Sequence, residues 1–134
     1  MELDRQALFA EYEGAIVSAC DPFAMDDFGW SDPALFCAMR GSGCVVITAW
    51  NPGFQRPGQQ VNEASNARLL AQLQDLAYEV WPADGASPDG QFHEPGFLVW
   101  DMPVEVACAL AADFGQFAIY AYTEEGERRV VACS

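Results

Sequence analysis

The sequence predicts an α+β domain, with helices packed on one mixed β-sheet and a C-terminal β-hairpin. Three observations lead there. Residues 44–50 and 97–100 are short, nearly continuous apolar runs rich in β-branched and aromatic side chains, as expected of strands covered on both faces. Residues 61–78 repeat their leucines at helical spacing. Residues 117–122 and 128–133 are two strand-like runs joined by a Glu/Gly turn at 124–127.

Taken in order, residues 3–20 read as a helix. Leu8, Tyr12, Ala15 and Ala19 recur at three- and four-residue spacing, and Asp21-Pro22 ends the segment because a residue before proline disfavours the α region. Residues 23–30 are aromatic and acidic, suited to a short edge strand whose Asp26 and Asp27 discourage edge-to-edge pairing. Ser31-Asp32-Pro33 supplies a capping side chain and a first-turn proline for a helix that runs to Arg40 and stops at Gly41-Ser42-Gly43. After the strand at 44–50, Pro52, Gly53, Pro57 and Gly58 make a loop. Winding 61–78 at 100° per residue puts Asn62, Asn66, Leu69, Leu70, Leu73, Leu76 and Ala77 on one stripe, opposite Arg68, Gln72 and Asp75. Residues 80–82 are a brief extended piece and 83–91 a polar loop. Pro103, with Asp101 and Glu105 on either side, opens a helix along Val106, Leu110 and Phe114 that Gly115 ends.

The chain of 134 residues is one domain's worth, 1–134, long enough to bury a core without disulfides or metal. Twenty carboxylates face six basic residues, all arginine, for a net charge of −14. Such a surface repels phosphate backbones and anionic membranes, so nucleic acid and membrane are excluded as general partners. The charge fits a soluble acidic protein first, and an acidic module that docks on a basic protein partner as the alternative. The five cysteines show no Cys-x-x-Cys spacing and sit mostly in apolar runs, as reduced thiols of a cytoplasmic protein do. The acidic start Met1-Glu2-Leu3-Asp4 has no apolar signal core, and cytoplasmic is the expected location.

The candidate site gathers at element ends. The apolar run 44–50 breaks at Trp50-Asn51-Pro52, a polar–aromatic corner at the end of a strand. Asn62 and Asn66 extend the inward helical stripe toward that corner. An amide both donates and accepts, so these side chains can read the edge of a polar ligand; equally, they can satisfy loop backbone groups. Glu94 lies before a buried strand, as a general base, a ligand anchor or a partner for loop amides. Gln116 follows a helix stop and either faces a ligand or closes unpaired helix carbonyls. His93 is the sole histidine, with no carboxylate at helical ligand spacing, so no metal site and no cofactor is expected. Asp113-Phe114-Gly115 and Gly41-Ser42-Gly43 lack the rest of a kinase or phosphate-loop signature.

Ile47-Thr48-Ala49-Trp50-Asn51-Pro52, Asn62 to Asn66 with the leucine stripe, Glu94-Pro95 before Phe97-Leu98-Val99, and Phe114-Gly115-Gln116 together resemble a family of small bacterial proteins of unknown function that share an "ITAWNP" string. The resemblance spans about 45–131. It implies no activity, substrate or cofactor, but its signature pieces fall on Asn51, Asn66, Glu94 and Gln116. Family members commonly carry asparagine after the matching glutamine, where this chain has Phe117. The expectation is a small polar ligand bound at one sheet end by Asn51, Asn62, Asn66, Glu94 and Gln116, with Trp50 as an aromatic wall. An acidic interaction or inhibitor module is the alternative, and an enzyme using Glu94 as general base the third reading.

Overall fold

The computed structural model describes residues 9–24, 29–53 and 55–133. Seven strands, β1 (Ile16–Cys20), β2 (Trp30–Ser31), β3 (Cys44–Ile47), β4 (Val80–Ala86), β5 (His93–Trp100), β6 (Ala118–Tyr122) and β7 (Arg128–Ala132), form one sheet in the order β2-β1-β4-β5-β3-β6-β7. Among the described residues three helices connect these strands, α1 (Pro33–Arg40), α2 (Gln59–Asp75) and α3 (Val104–Asp113), besides a helical stretch at 9–14. The α+β class and the C-terminal hairpin, here β6–β7, are as expected. The sheet is not mixed, because every neighbouring pair is antiparallel. The helical crossovers do join strands of like direction, β3 to β4 and β5 to β6. Each crossover skips one strand, however, and that antiparallel strand sits between the two it joins. No helix among the described residues is long and apolar enough to cross a membrane.

Most elements follow their local chemistry. Asp32 caps α1 by accepting from the Ala34 amide at 2.9 Å, and Gly41 closes it in the left-handed conformation at φ 73°. In α2 the buried stripe is Asn62, Asn66, Leu69 and Leu73, four of the residues expected to face inward. The N-terminal expectation fails in part. The backbone is helical only over 9–14 among the described residues, and the second half of the expected helix is β1. Val17 and Ala19 are buried there at strand alternation, and the β-branched pair Ile16-Val17 suits a strand. The remainder of that segment, at 1–8, and residues 25–28 lie outside the described residues; of the expected edge strand, Trp30 is found in β2. β4 is longer than expected because Ala83–Ala86 is held between β1 and β5 by ladders on both sides, despite its polar, glycine-containing sequence. Likewise His93-Glu94-Pro95-Gly96 is part of β5 rather than preceding it.

The sheet has two differently covered faces. Val45, Ile47, Val99 and Ile119 pack under α2 and α3, against Leu69, Leu73, Leu110 and Ala111. On the other face Cys44, Leu98, Trp100 and Tyr122 pack with Cys37 of α1 and Trp81. Trp81 meets both Phe36 and Trp100 edge-on with centroids 5.1 Å apart, and Arg40 lies 4.2 Å over the Trp100 ring.

Candidate functional site

The corner after β3 is held by side-chain amides. Asn66 accepts from the Ala49 amide at 2.9 Å and donates to the Pro95 carbonyl at 2.8 Å, so one side chain joins the corner to β5. Asn62 accepts from the Asn51 amide at 2.9 Å and donates to the Asn51 side chain at 2.8 Å. Gln116 donates to the Trp50 carbonyl at 3.0 Å. The Thr48 hydroxyl donates to the Pro95 carbonyl at 2.6 Å and accepts from the Trp50 amide at 3.0 Å. Asn62, Asn66 and Gln116 are the buried polar side chains of the described core, and these bonds satisfy both ends of Asn62 and Asn66.

Close backbone approach completes the corner. A Cβ on Gly96 would lie 2.6 Å from the Ile47 carbonyl oxygen, so β5 can pass beneath Thr48 only with glycine there. Asn51 adopts φ 47°, a left-handed conformation that asparagine tolerates better than most residues. The Phe117 ring rests on Gly53, within 3.1 Å of where a Cβ would stand, which gives this residue a packing role beside the corner.

Beside the corner, on the α1 face of the sheet, lies a cleft of about 1040 Å³. Val46, Gly96 and Tyr120 line its sheet side, and Tyr12, with its neighbours at 10–15, bridges it. That bridge is fastened by side chains: Tyr120 donates to the Tyr12 carbonyl at 2.9 Å, and Arg128 donates to the carbonyls of Ala15 at 2.8 Å and Glu13 at 2.5 Å. The Tyr12 hydroxyl reaches Gln116 at 3.4 Å. Burial pushes the phenols of Tyr12 and Tyr120 well above the usual range, so both remain protonated donors.

Glu94 also lines this cleft, half-buried in β5 opposite Gly85. Burial pushes its carboxyl above the usual carboxylate range, and the charges of Glu11 and Asp84 act in the same direction; Arg56 and the Asn51 side chain oppose them. At the outer rim His93 shares its Nδ1 with Asp84 at 2.7 Å and its Nε2 with the Gly90 carbonyl at 3.2 Å. The Asp84 contact raises the pKa of this exposed imidazole. Among the described residues, no three His, Cys, Asp or Glu side chains converge as metal ligands would.

The six residues singled out by sequence therefore occupy two positions. Asn51 and Glu94 line the cleft, whereas Asn62, Asn66, Gln116 and the Trp50 backbone form the support behind it. Tyr12, Tyr120 and Arg56 line the cleft without having been singled out. Tyr12 looked like one more residue of a helical stripe, and Tyr120 like one more apolar position of a strand.

No curated protein and no solved structure matches the chain. The family described as "Protein of unknown function (DUF3293)" matches residues 47–119, somewhat less than the expected span. That match runs from the end of β3 into β6 and includes Trp50, Asn51, Asn62, Asn66, Glu94 and Gln116. By this match over more than half its length, the chain belongs to the DUF3293 family.

Proposed function

We propose that the cleft binds a small polar molecule, with Glu94 and Asn51 as anchors and Tyr12 and Tyr120 as aromatic walls. The observation that carries this reading is Glu94: a half-buried carboxyl, raised by burial, on the wall of a cleft of ligand size. Such a group is stabilised by a ligand that brings hydrogen-bond donors or a positive charge to it. Asn62, Asn66 and Gln116 serve as positioning residues, since each fixes the backbone that presents Asn51 or Pro95 beside Glu94. In the narrower, enzymatic form of the reading, Glu94 is a general base.

A thermal-shift screen against metabolites and nucleotides tests it. A ligand at a hundred times its dissociation constant stabilises the folded chain by about 2.7 kcal/mol. Glu94→Gln should remove most of that shift, while Asn66→Ala should weaken both the shift and the unliganded stability. An unchanged shift on Glu94→Gln would overturn the assignment of Glu94, and an unchanged activity would remove the general-base form with it.

A second reading, an acidic interaction module, is supported by a different surface. Phe23 and Trp30 are 76% and 50% exposed between Asp21 and Asp32, in a chain of net charge −14. A basic protein would be held there at low salt and released at high salt. Pull-downs at two salt concentrations that recover no basic partner count against it.

A further inference from the structure

Four of the five cysteines meet in pairs, one pair on each face of the sheet. Cys37 of α1 and Cys44 of β3 have sulfurs 3.5 Å apart and are 0% and 4% exposed. Cys108 of α3 and Cys133, just beyond β7, have sulfurs 2.6 Å apart, and both are only partly buried. The second pair therefore combines proximity with access to solvent, which the first lacks.

Both members of the accessible pair are held by regular structure. The Cys133 amide donates to the Phe117 carbonyl at 2.8 Å, extending the β6–β7 ladder by one step. The Cys108 sulfur lies 3.8 Å from the Ala132 carbonyl, so this position of α3 faces the end of β7. Their separation of 2.6 Å is already close to the roughly 2.05 Å of a disulfide bond.

We propose that Cys108 and Cys133 are a modification site: a dithiol that low-molecular-weight disulfides convert to an intramolecular disulfide, stapling α3 to the end of β7. With oxidised glutathione, the Cys108 thiolate attacks one glutathione sulfur, forming a mixed disulfide and releasing the other glutathione as its thiolate. The Cys133 thiolate then attacks the Cys108 sulfur, and the second glutathione leaves. The two protons lost by the cysteines end on two reduced glutathiones, and the two electrons reduce the glutathione disulfide. Burial and the neighbouring Cys108 sulfur hold the Cys133 thiol up to about 12, which makes it the poorer first attacker, and the Cys108 share of that shift is lost once the Cys108 sulfur is in the mixed disulfide. The closed loop spans 25 positions and contains Gln116, so the staple braces the turn whose amide holds the Trp50 carbonyl.

Incubation of the full chain with oxidised glutathione, then alkylation under denaturing conditions and peptide mapping, tests this. The expected map shows a Cys108–Cys133 cross-linked peptide, with Cys37 and Cys44 alkylated. The Tm should rise by about 10 °C and return on addition of dithiothreitol. Cys108→Ser and Cys133→Ser should each abolish the cross-link and the rise, and Cys37→Ser should keep both. Alkylation of Cys108 and Cys133, or glutathione retained on either of them, would overturn the proposal. The wild-type map decides this alone, even if a variant fails to fold.

Discussion

The two faces of the sheet are closed by different kinds of interaction. Beneath α2 and α3, apolar side chains of both layers are buried against one another, with Leu69 and Leu73 fully covered. On the opposite face α1 covers only part of the sheet, and the stretch from Val46 and Tyr120 toward Glu94 is bridged by residues 10–15 over a cleft. There the bridge is fastened by hydrogen bonds from Tyr120 and Arg128, beside the packing of the Tyr12 ring on Tyr120. Burial supplies large, non-directional stabilisation, while single hydrogen bonds add little net energy but fix geometry. Both faces thus bury an apolar core, the α1 face around Trp81, Leu98 and Trp100, and only the cleft end of that face presents polar groups.

The sharpest way to break this comparison is to remove apolar volume from each side. Leu69→Ala opens a void between α2 and the sheet and should lose about 2–5 kcal/mol. Val46→Ala removes less and does so beside an existing cleft, so about 1–1.5 kcal/mol is expected. Urea unfolding with unchanged m-values measures both. Equal losses would mean that the cleft face carries as much of the stability as the helix-covered face.

Asn66→Ala tests the seam between the two faces. It leaves the Ala49 amide with no side-chain acceptor, while the Pro95 carbonyl keeps only the Thr48 hydroxyl. The expected loss is about 2–3 kcal/mol, and the Ala49 amide should exchange with solvent faster than in the wild type. A loss below about 0.5 kcal/mol would show that water replaces the asparagine, and the corner would not be a rigid support.

The helix-covered face was the more legible in sequence, for reasons particular residues make plain. Leucine spacing alone oriented α2, and the same winding turned Asn62 and Asn66 inward. β3 is legible from the β-branched residues of the run 44–50, although the strand ends at Ile47, but its partners are not. Antiparallel order depends on which strand enters between β3 and β4, and no local pattern encodes that choice. Residues 15–20 misled because Ala15 and Ala19 satisfy a helical period, while Val17 and Ala19 satisfy a strand's. The sequence pattern ends β4 at residue 82 because Ala83–Ala86 has weak strand chemistry and is kept extended by two neighbours. At the site, amides next to a strand end were visible as unusual, but their division into lining and support is a matter of which face each side chain leaves. Tyr12 and Tyr120 are 108 positions apart, so their meeting had no local signal.

The smallest expected effect distinguishes the two faces by pH. Glu94's folded pKa lies above its ordinary 4.5 because of burial. Between those two values the folded chain keeps a proton that the unfolded chain has released, so this group's contribution falls as pH rises through the window. Glu79, on the α1 side, is the opposite case. Its hydrogen bonds from Arg40, at 2.6 and 3.1 Å, hold its carboxyl below the usual range, so its contribution is present above the ordinary value and lost as pH falls. Glu94→Gln should therefore flatten the decline in Tm on the rising side of pH 4.5. Glu79→Gln should act above that value, with a loss of at most about 1 kcal/mol because the pair is largely exposed. Parallel changes in the two profiles would place Glu94 in the same exposed regime as Glu79. Opposite slopes would leave Glu94 as a carboxyl that the fold holds at a cost, which is the condition a cationic or hydrogen-bond-donating ligand would relieve.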